Sequence, residues 1–124
     1  MHPEWADDVA RRLRAYTTRE IRIRPHPGNW QKEPPRVPLV ADLEGCWAMV
    51  TWASSAGVHA LLAGVPVIRE APWWILAGAA SSDIRAVEHP PEPDRLPAFV
   101  RLAWAQYNIE EIAAGLPFEK LRPL

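Results

Sequence analysis

Two serines and a histidine are the side chains of this chain whose types and positions are best suited to chemistry. Ser54 and Ser55 follow an apolar segment, and Ala56 and Gly57 come directly after them. Hydroxyl groups at the start of a helix, together with the unpaired N–H groups of its first turn, can donate hydrogen bonds to an anion. His26 can supply a positive charge or a proton because imidazole titrates near neutral pH. These residues predict a phosphate site in which His26 is the candidate general acid.

The same residues also have a purely structural interpretation. Serine is a common N-cap, so the serine pair can begin a helix without touching any ligand. His-Pro pairs also occur at positions 2–3 and 89–90, so the pair formed by His26 and Pro27 is informative only through its place after an expected strand. Both interpretations stay open on the sequence alone.

The elements that must position these residues follow from the periodicity of the sequence. β-branched residues alternate with arginines over Glu20 to Arg24, which is typical of a strand. Further strands are expected over Ala48 to Trp52 and Val65 to Arg69, with a helix over Ala56 to Ala63 between them. Ligands of open parallel sheets bind at the carboxyl ends of the strands. We therefore expect His26 and the two serines to lie along one edge of the sheet.

Helical patterns at both ends of the chain complete the expected fold. Apolar residues at a spacing of about four predict a helix over Pro3 to Tyr16, and a short helix is expected within Pro38 to Trp47. A long C-terminal helix is expected over Pro93 to Gly115. The predicted fold class is α/β, a small Rossmann-like parallel sheet flanked by helices, in one domain of residues 1–124. Residues 93–121 are expected to pack on it as a C-terminal helical segment.

Composition and charge exclude several function classes. The formal net charge is −1 and the pI is about 6.4, which gives no electrostatic basis for binding nucleic acid. No apolar stretch approaches the roughly 20 residues that span a bilayer. The single cysteine, Cys46, cannot form an internal disulfide, and we expect a cytoplasmic protein with a buried, inert thiol. The histidines and carboxylates show no metal-ligand spacing, so no metal and no cofactor are predicted.

Tryptophan is unusually frequent, with seven residues in 124. Trp47 and Trp52 lie in apolar segments and are expected in the core. Trp73 and Trp74 follow a proline in a loop-like segment. This position leaves open packing inside the protein or contact with a ligand or a partner.

Two motifs taken in order resemble a known family. RPHP over Arg24 to Pro27 and VTWASSAGVHALLAGVPVI over Val50 to Ile68 are similar to the C-terminal, donor-binding half of GT-B-fold glycosyltransferases. The nearest groups are the bacterial capsule-polysaccharide and sialyltransferase-like enzymes, with a weaker similarity of the C-terminal portion to related phage-encoded proteins. The resemblance implies that the HP histidine and the serine pair contact the phosphate of a nucleotide sugar, commonly a CMP-sugar. The implied binding residues are Arg24, His26, Pro27, Ser54, Ser55, Gly57 and His59, with His26 as the catalytic residue.

Two departures from that family limit what the resemblance implies. His59 stands where many relatives carry a glutamate that reaches toward the donor. The acceptor half with its acidic motif is not found in these 124 residues, so the chain alone is expected to be inactive and to need a second half-domain or a homo-oligomer. The alternative is a non-catalytic protein-interaction module that uses Trp73, Trp74 and the C-terminal helix. A phosphatase or hydrolase with His26 as base would lack an identifiable nucleophile or metal set.

Overall fold

The computed structural model describes residues 4–25, 37–92 and 94–121, so His26 and Pro27 lie outside the described residues. Within these ranges the chain forms six α-helices, two β-strands and two short 3-10 turns. The helices are α1 (Trp5–Leu13), α2 (Leu39–Leu43), α3 (Ala56–Leu62), α4 (Arg95–Trp104), α5 (Ile109–Ala113) and α6 (Leu116–Glu119). The strands are β1 (Met49–Thr51) and β2 (Val67–Arg69), and the 3-10 turns are Ala77–Ala79 and Ile84–Ala86.

A parallel β-α-β unit lies at the centre of the fold. β1 and β2 pair in parallel, with Met49 opposite Val67 and Thr51 opposite Arg69, and α3 connects them. Gly64 ends α3 with a φ of 82°, a left-handed conformation that glycine adopts without strain. The expected helix and the two strands around it are therefore confirmed, with shorter strands than the sequence pattern indicated.

The sheet is covered on both faces. Successive residues of a strand point to opposite faces, and Val67 and Ile68 are only 2% and 0% exposed. Val67 belongs to a core cluster with Leu61 of α3, whereas Ile68 belongs to a second cluster with Val9 and Leu13 of α1. This layering confirms the α/β class. The larger Rossmann-like sheet is not seen in the part of the chain that the structure describes.

The segment Glu20–Arg24 is not a strand, so the sequence prediction for it was wrong. Among the described residues, the only ladder of the sheet joins β1 and β2. Ile21 packs against the second core cluster, while Ile23 is 52% exposed. The alternation therefore does not match the observed burial, and the backbone of the segment makes no ladder with β1.

The long C-terminal helix was also wrongly predicted, because the helical run is broken twice. α4 ends at Trp104, and Asn108 begins α5 with a capping box in which Asn108 and Glu111 each accept from the other's backbone N–H at 2.8 Å. Gly115, with a φ of 81°, then separates α5 from α6. α5 and α6 contain no buried residue. Of these three C-terminal helices, only α4 therefore contributes to the core.

Replacing Thr17 with valine is expected to raise the pKa of Glu88 toward the usual value of a glutamate. Thr17 is buried, and its hydroxyl donates a hydrogen bond to Glu88 that, with the charge of Arg19, holds the pKa of Glu88 below its usual range. Such a depressed pKa stabilises the fold above the unfolded-state pKa, and this contribution is lost as pH falls through the folded-state pKa. An NMR titration of the Glu88 carboxyl tests this, and an unchanged pKa in the variant would refute it.

Candidate functional site

The Ser54–Ser55 turn follows the carboxyl end of β1 and leads directly into α3. Ser54 is held from three sides by hydrogen bonds inside the protein. Its N–H donates to the Thr51 hydroxyl at 3.1 Å, and its own hydroxyl accepts from the Ala56 N–H at 3.1 Å. Its carbonyl accepts from the Trp74 indole N–H at 3.2 Å. Ser54 therefore shapes the turn, and its hydroxyl acts as a local acceptor.

The first N–H groups of α3 are engaged within the same turn. The Ala56 N–H has the Ser54 hydroxyl as its acceptor, the Gly57 N–H donates to the Ser54 carbonyl at 3.1 Å, and the Val58 N–H donates to the Ser55 carbonyl at 3.0 Å. These N–H groups are therefore not free for an anion, in contrast to the expectation from the sequence. The groups left for a ligand at this turn are therefore mainly side chains.

Ser55 and His59 are the two exposed polar side chains of this region. They stand four residues apart, so they lie one above the other on the same face of α3. Ser55 makes no capping hydrogen bond. The opposite face of the helix, with Gly57, Ala60 and Leu61, is buried. A hydroxyl and an imidazole at this spacing can both donate to one anion at the surface.

Gly57 serves packing in this structure. A Cβ at this position would lie 2.6 Å and 2.9 Å from two ring carbons of Trp74, and 3.5 Å from the Thr51 methyl group. Trp74 itself is 6% exposed and lies in the core cluster of α3 and α4. Glycine at position 57 is what lets the indole ring lie against the start of the helix.

Arg24 is bound to other partners. Its guanidinium donates to the Val37 carbonyl at 2.6 Å and to the Asp42 carboxylate at 2.7 Å. The side chains of Arg24 and Asp42 are 28% and 23% exposed. This ion pair ties the segment before His26 to α2, and neither of the two contacts involves the serine turn. Whether His26 and Pro27 approach Ser55 lies outside the described residues.

The edge of the sheet next to the serine turn carries an ion-pair network that the sequence analysis missed. Arg12 of α1 donates hydrogen bonds to both carboxylate oxygens of Glu70, which directly follows β2, and also to Asp8 at 2.9 Å. The hydrogen bond to Glu70 is the largest cause that raises the pKa of Arg12 above its usual value. Asp8 and Arg12 stand four residues apart on α1, a spacing from which this ion pair could have been predicted. The cation is shared between two carboxylates and is not spare for a phosphate.

The tryptophans divide between core and surface. Trp52 packs edge-on against Trp5 with the ring centroids 6.2 Å apart. Trp47, which was expected in the core, is 44% exposed, and the Arg19 guanidinium lies 3.7 Å from its ring centroid. Trp74 is buried whereas Trp73 is 72% exposed. Only the first residue of the WW pair is available to a partner.

Metal and thiol chemistry find no support among the described residues. They contain no group of three histidine, cysteine, aspartate or glutamate side chains that could hold a metal ion. The Cys46 thiol is half-buried and donates to the Ala48 carbonyl at 3.3 Å, and its burial raises the pKa of the thiol. Less of the reactive thiolate is then present at neutral pH. In the same ranges, the structure has no helix of sufficient length and apolarity to cross a membrane.

Comparisons of this chain with known protein families, curated proteins and solved structures gave no match.

Proposed function

We propose that this chain is the donor-binding half of a glycosyltransferase-like protein, and that it binds the phosphate of a nucleotide-activated sugar at the Ser54–Ser55 turn. A CMP-linked sugar is the first candidate, because the resemblance of the HP and Ser-Ser motifs favours that class. Glycosyl transfer then requires an acceptor half, supplied by further polypeptide or by another chain.

The exposed pair Ser55 and His59 is the observation that carries this proposal. Ser55 stands where β1 passes into α3, which is the edge at which parallel β-α-β units bind ligands, and His59 lies about one helical turn further along α3. Because the nearby backbone N–H groups are engaged, recognition depends on the Ser55 hydroxyl and the His59 imidazole. In many members of the glycosyltransferase family that the sequence resembles, a glutamate occupies the position of His59. A histidine repels a phosphate less than that carboxylate would.

Replacing Ser55 or His59 with alanine is expected to weaken the binding of CMP about tenfold or more. Each substitution removes one hydrogen bond to a charged group, worth roughly 1.5–3 kcal/mol. Ser82→Ala and His89→Ala are matched controls, because these residues are also exposed but lie on other segments. The resemblance adds His26→Ala as a third variant that should lose affinity. Isothermal titration calorimetry measures the affinities, and equal affinity in Ser55→Ala, His59→Ala and both controls would refute the site.

Binding of another protein is the second candidate function. It is favoured by the number of large apolar side chains that remain in water at the C-terminal part of the chain. Trp104 is 72% exposed, Ile109 84% and Phe118 67%. Single exposed apolar residues are ordinary, but several in one region are typical of an interaction surface. This candidate predicts a folded protein that forms a complex and does not respond to nucleotides.

A further inference from the structure

A surface cavity lies where the end of α4 meets α5 and α6. Its volume is about 440 Å³, which is within the range of sites that bind small ligands. Its lining includes the rings of Trp104 and Tyr107, the carboxylates of Glu111 and Glu119, and the ammonium group of Lys120. None of the lining residues belongs to the Ser54–Ser55 turn. The cavity is therefore separate from the site proposed for the nucleotide.

A cation from the chain itself lies over the two aromatic rings of this cavity. The Lys120 Nζ is 5.5 Å from the centroid of the Trp104 ring and 5.2 Å from the centroid of the Tyr107 ring. Both distances are within the roughly 6 Å over which the face of an aromatic ring attracts a cation. The same ammonium group donates a hydrogen bond to the Trp104 carbonyl at 2.9 Å. The two rings and this carbonyl together form a place that holds an ammonium group.

The charge of the cavity also favours a cation. Glu111 and Glu119 contribute two carboxylates to the lining, whereas Lys120 contributes one ammonium group. Glu111 accepts a hydrogen bond from the Asn108 N–H at 2.8 Å, which leaves the negative charge of the carboxylate in place. A cleft whose lining has an excess of one charge attracts ligands of the opposite charge. An anionic ligand is therefore disfavoured here.

Lys120 leaves part of this site unused. Trp104 is 72% exposed, so most of its surface remains in water although Lys120 lies over the ring. The Tyr107 hydroxyl is buried and has no hydrogen-bond partner in the part of the chain that the structure describes. A buried hydroxyl without a partner is unfavourable. The cavity therefore offers both space and binding groups to a cation larger than the lysine ammonium.

We propose that this cavity binds a small organic cation with a methylated ammonium group, and that Lys120 competes with this ligand for the aromatic rings. Aromatic rings recognise quaternary ammonium groups in this way. The primary ammonium of a lysine is compact and strongly hydrated, so Lys120 loses little when it returns to water. A hydroxyl group on the ligand gives the Tyr107 hydroxyl a partner.

Choline is the probe, because it carries a trimethylammonium group and a hydroxyl. Its neutral isostere 3,3-dimethylbutan-1-ol has carbon in place of nitrogen and is the control for apolar contact alone. In an NMR titration, choline is expected to shift the Trp104 indole N–H signal and to bind about tenfold more tightly than the isostere. Lys120→Gln removes the competing charge, so this variant is expected to bind choline about tenfold more tightly than the wild-type chain.

Trp104→Ala is expected to weaken choline binding about tenfold. Trp73→Ala is its matched control, because Trp73 is also 72% exposed but does not line the cavity. Circular dichroism establishes that each variant is folded, which is expected for side chains as exposed as these.

Three results would each overturn the proposal. The first is a lack of choline binding by both the wild-type chain and Lys120→Gln. The second is binding of 3,3-dimethylbutan-1-ol as tightly as choline, which would leave no role for the positive charge. The third is an equal choline affinity in Trp104→Ala and Trp73→Ala. A peptide with trimethyllysine that binds more tightly than choline would overturn the assignment to a small molecule.

Discussion

Replacing Ile68 with alanine is expected to lower the free energy of unfolding by about 3–4 kcal/mol. Ile68 is 0% exposed in the middle of β2, and it packs in the second core cluster with Val9, Leu13, Ile84 and Val87. The substitution removes three buried carbon atoms and leaves a cavity between the sheet and α1, which the close-packed surroundings fill only in part. Urea unfolding followed by circular dichroism measures the change.

Ile109→Ala is the matched control for that substitution. Ile109 loses the same atoms but is 84% exposed, so its effect is expected to stay within about 0.5 kcal/mol. Equal losses in the two variants would mean that β2 is not the buried centre of the fold.

Replacing Gly57 with alanine is expected to lower the free energy of unfolding by about 2 kcal/mol. The new methyl group would lie 2.6 Å from a carbon of the Trp74 ring, which is far closer than carbon atoms pack. Trp74 cannot move away freely, because its ring lies in the core and its indole N–H donates to the Ser54 carbonyl. The clash must therefore shift either α3 or the serine turn.

Gly78→Ala is the control, because a methyl group there would meet only the end of the Arg101 side chain at 3.6 Å. The double variant Gly57→Ala with Trp74→Phe tests the mechanism, since the smaller ring relieves the clash. The two substitutions should be coupled by about 1 kcal/mol, so that the double variant is more stable than the sum of the single effects predicts. Additive effects would show that Trp74 is not what excludes a side chain at position 57.

The parts of the fold that the sequence predicted are those specified by neighbouring residues. The strand before the serine turn, the helix after it and the strand beyond Gly64 form one continuous unit whose signals are local. The strand expected over Glu20–Arg24 failed because strand formation also needs a partner edge, which alternation does not reveal. The break in the helix before α5 could have been predicted from the sequence, because Asn108 and Glu111 have the spacing of a capping box.

The candidate site was predicted less completely than the fold. The sequence identified Ser54 and Ser55 at the end of a strand, and the structure places them there. It did not reveal that the indole N–H of Trp74, twenty residues later, donates a hydrogen bond to the Ser54 carbonyl. Nor did it reveal that the Trp74 ring leaves no space for a side chain at position 57. Such contacts depend on tertiary packing, which periodicity and motif spacing do not encode.

A nucleotide titration followed by amide NMR shifts tests whether the Ser54–Ser55 turn recognises phosphate. CMP and cytidine are compared, because they differ only in the phosphate group. We expect CMP to shift the amides of residues 53–59 and cytidine to shift them far less. The double variant Ser55→Ala with His59→Ala is expected to abolish the CMP response. A folded chain whose amides respond to neither compound, or equally to both, would contradict phosphate recognition at the Ser54–Ser55 turn.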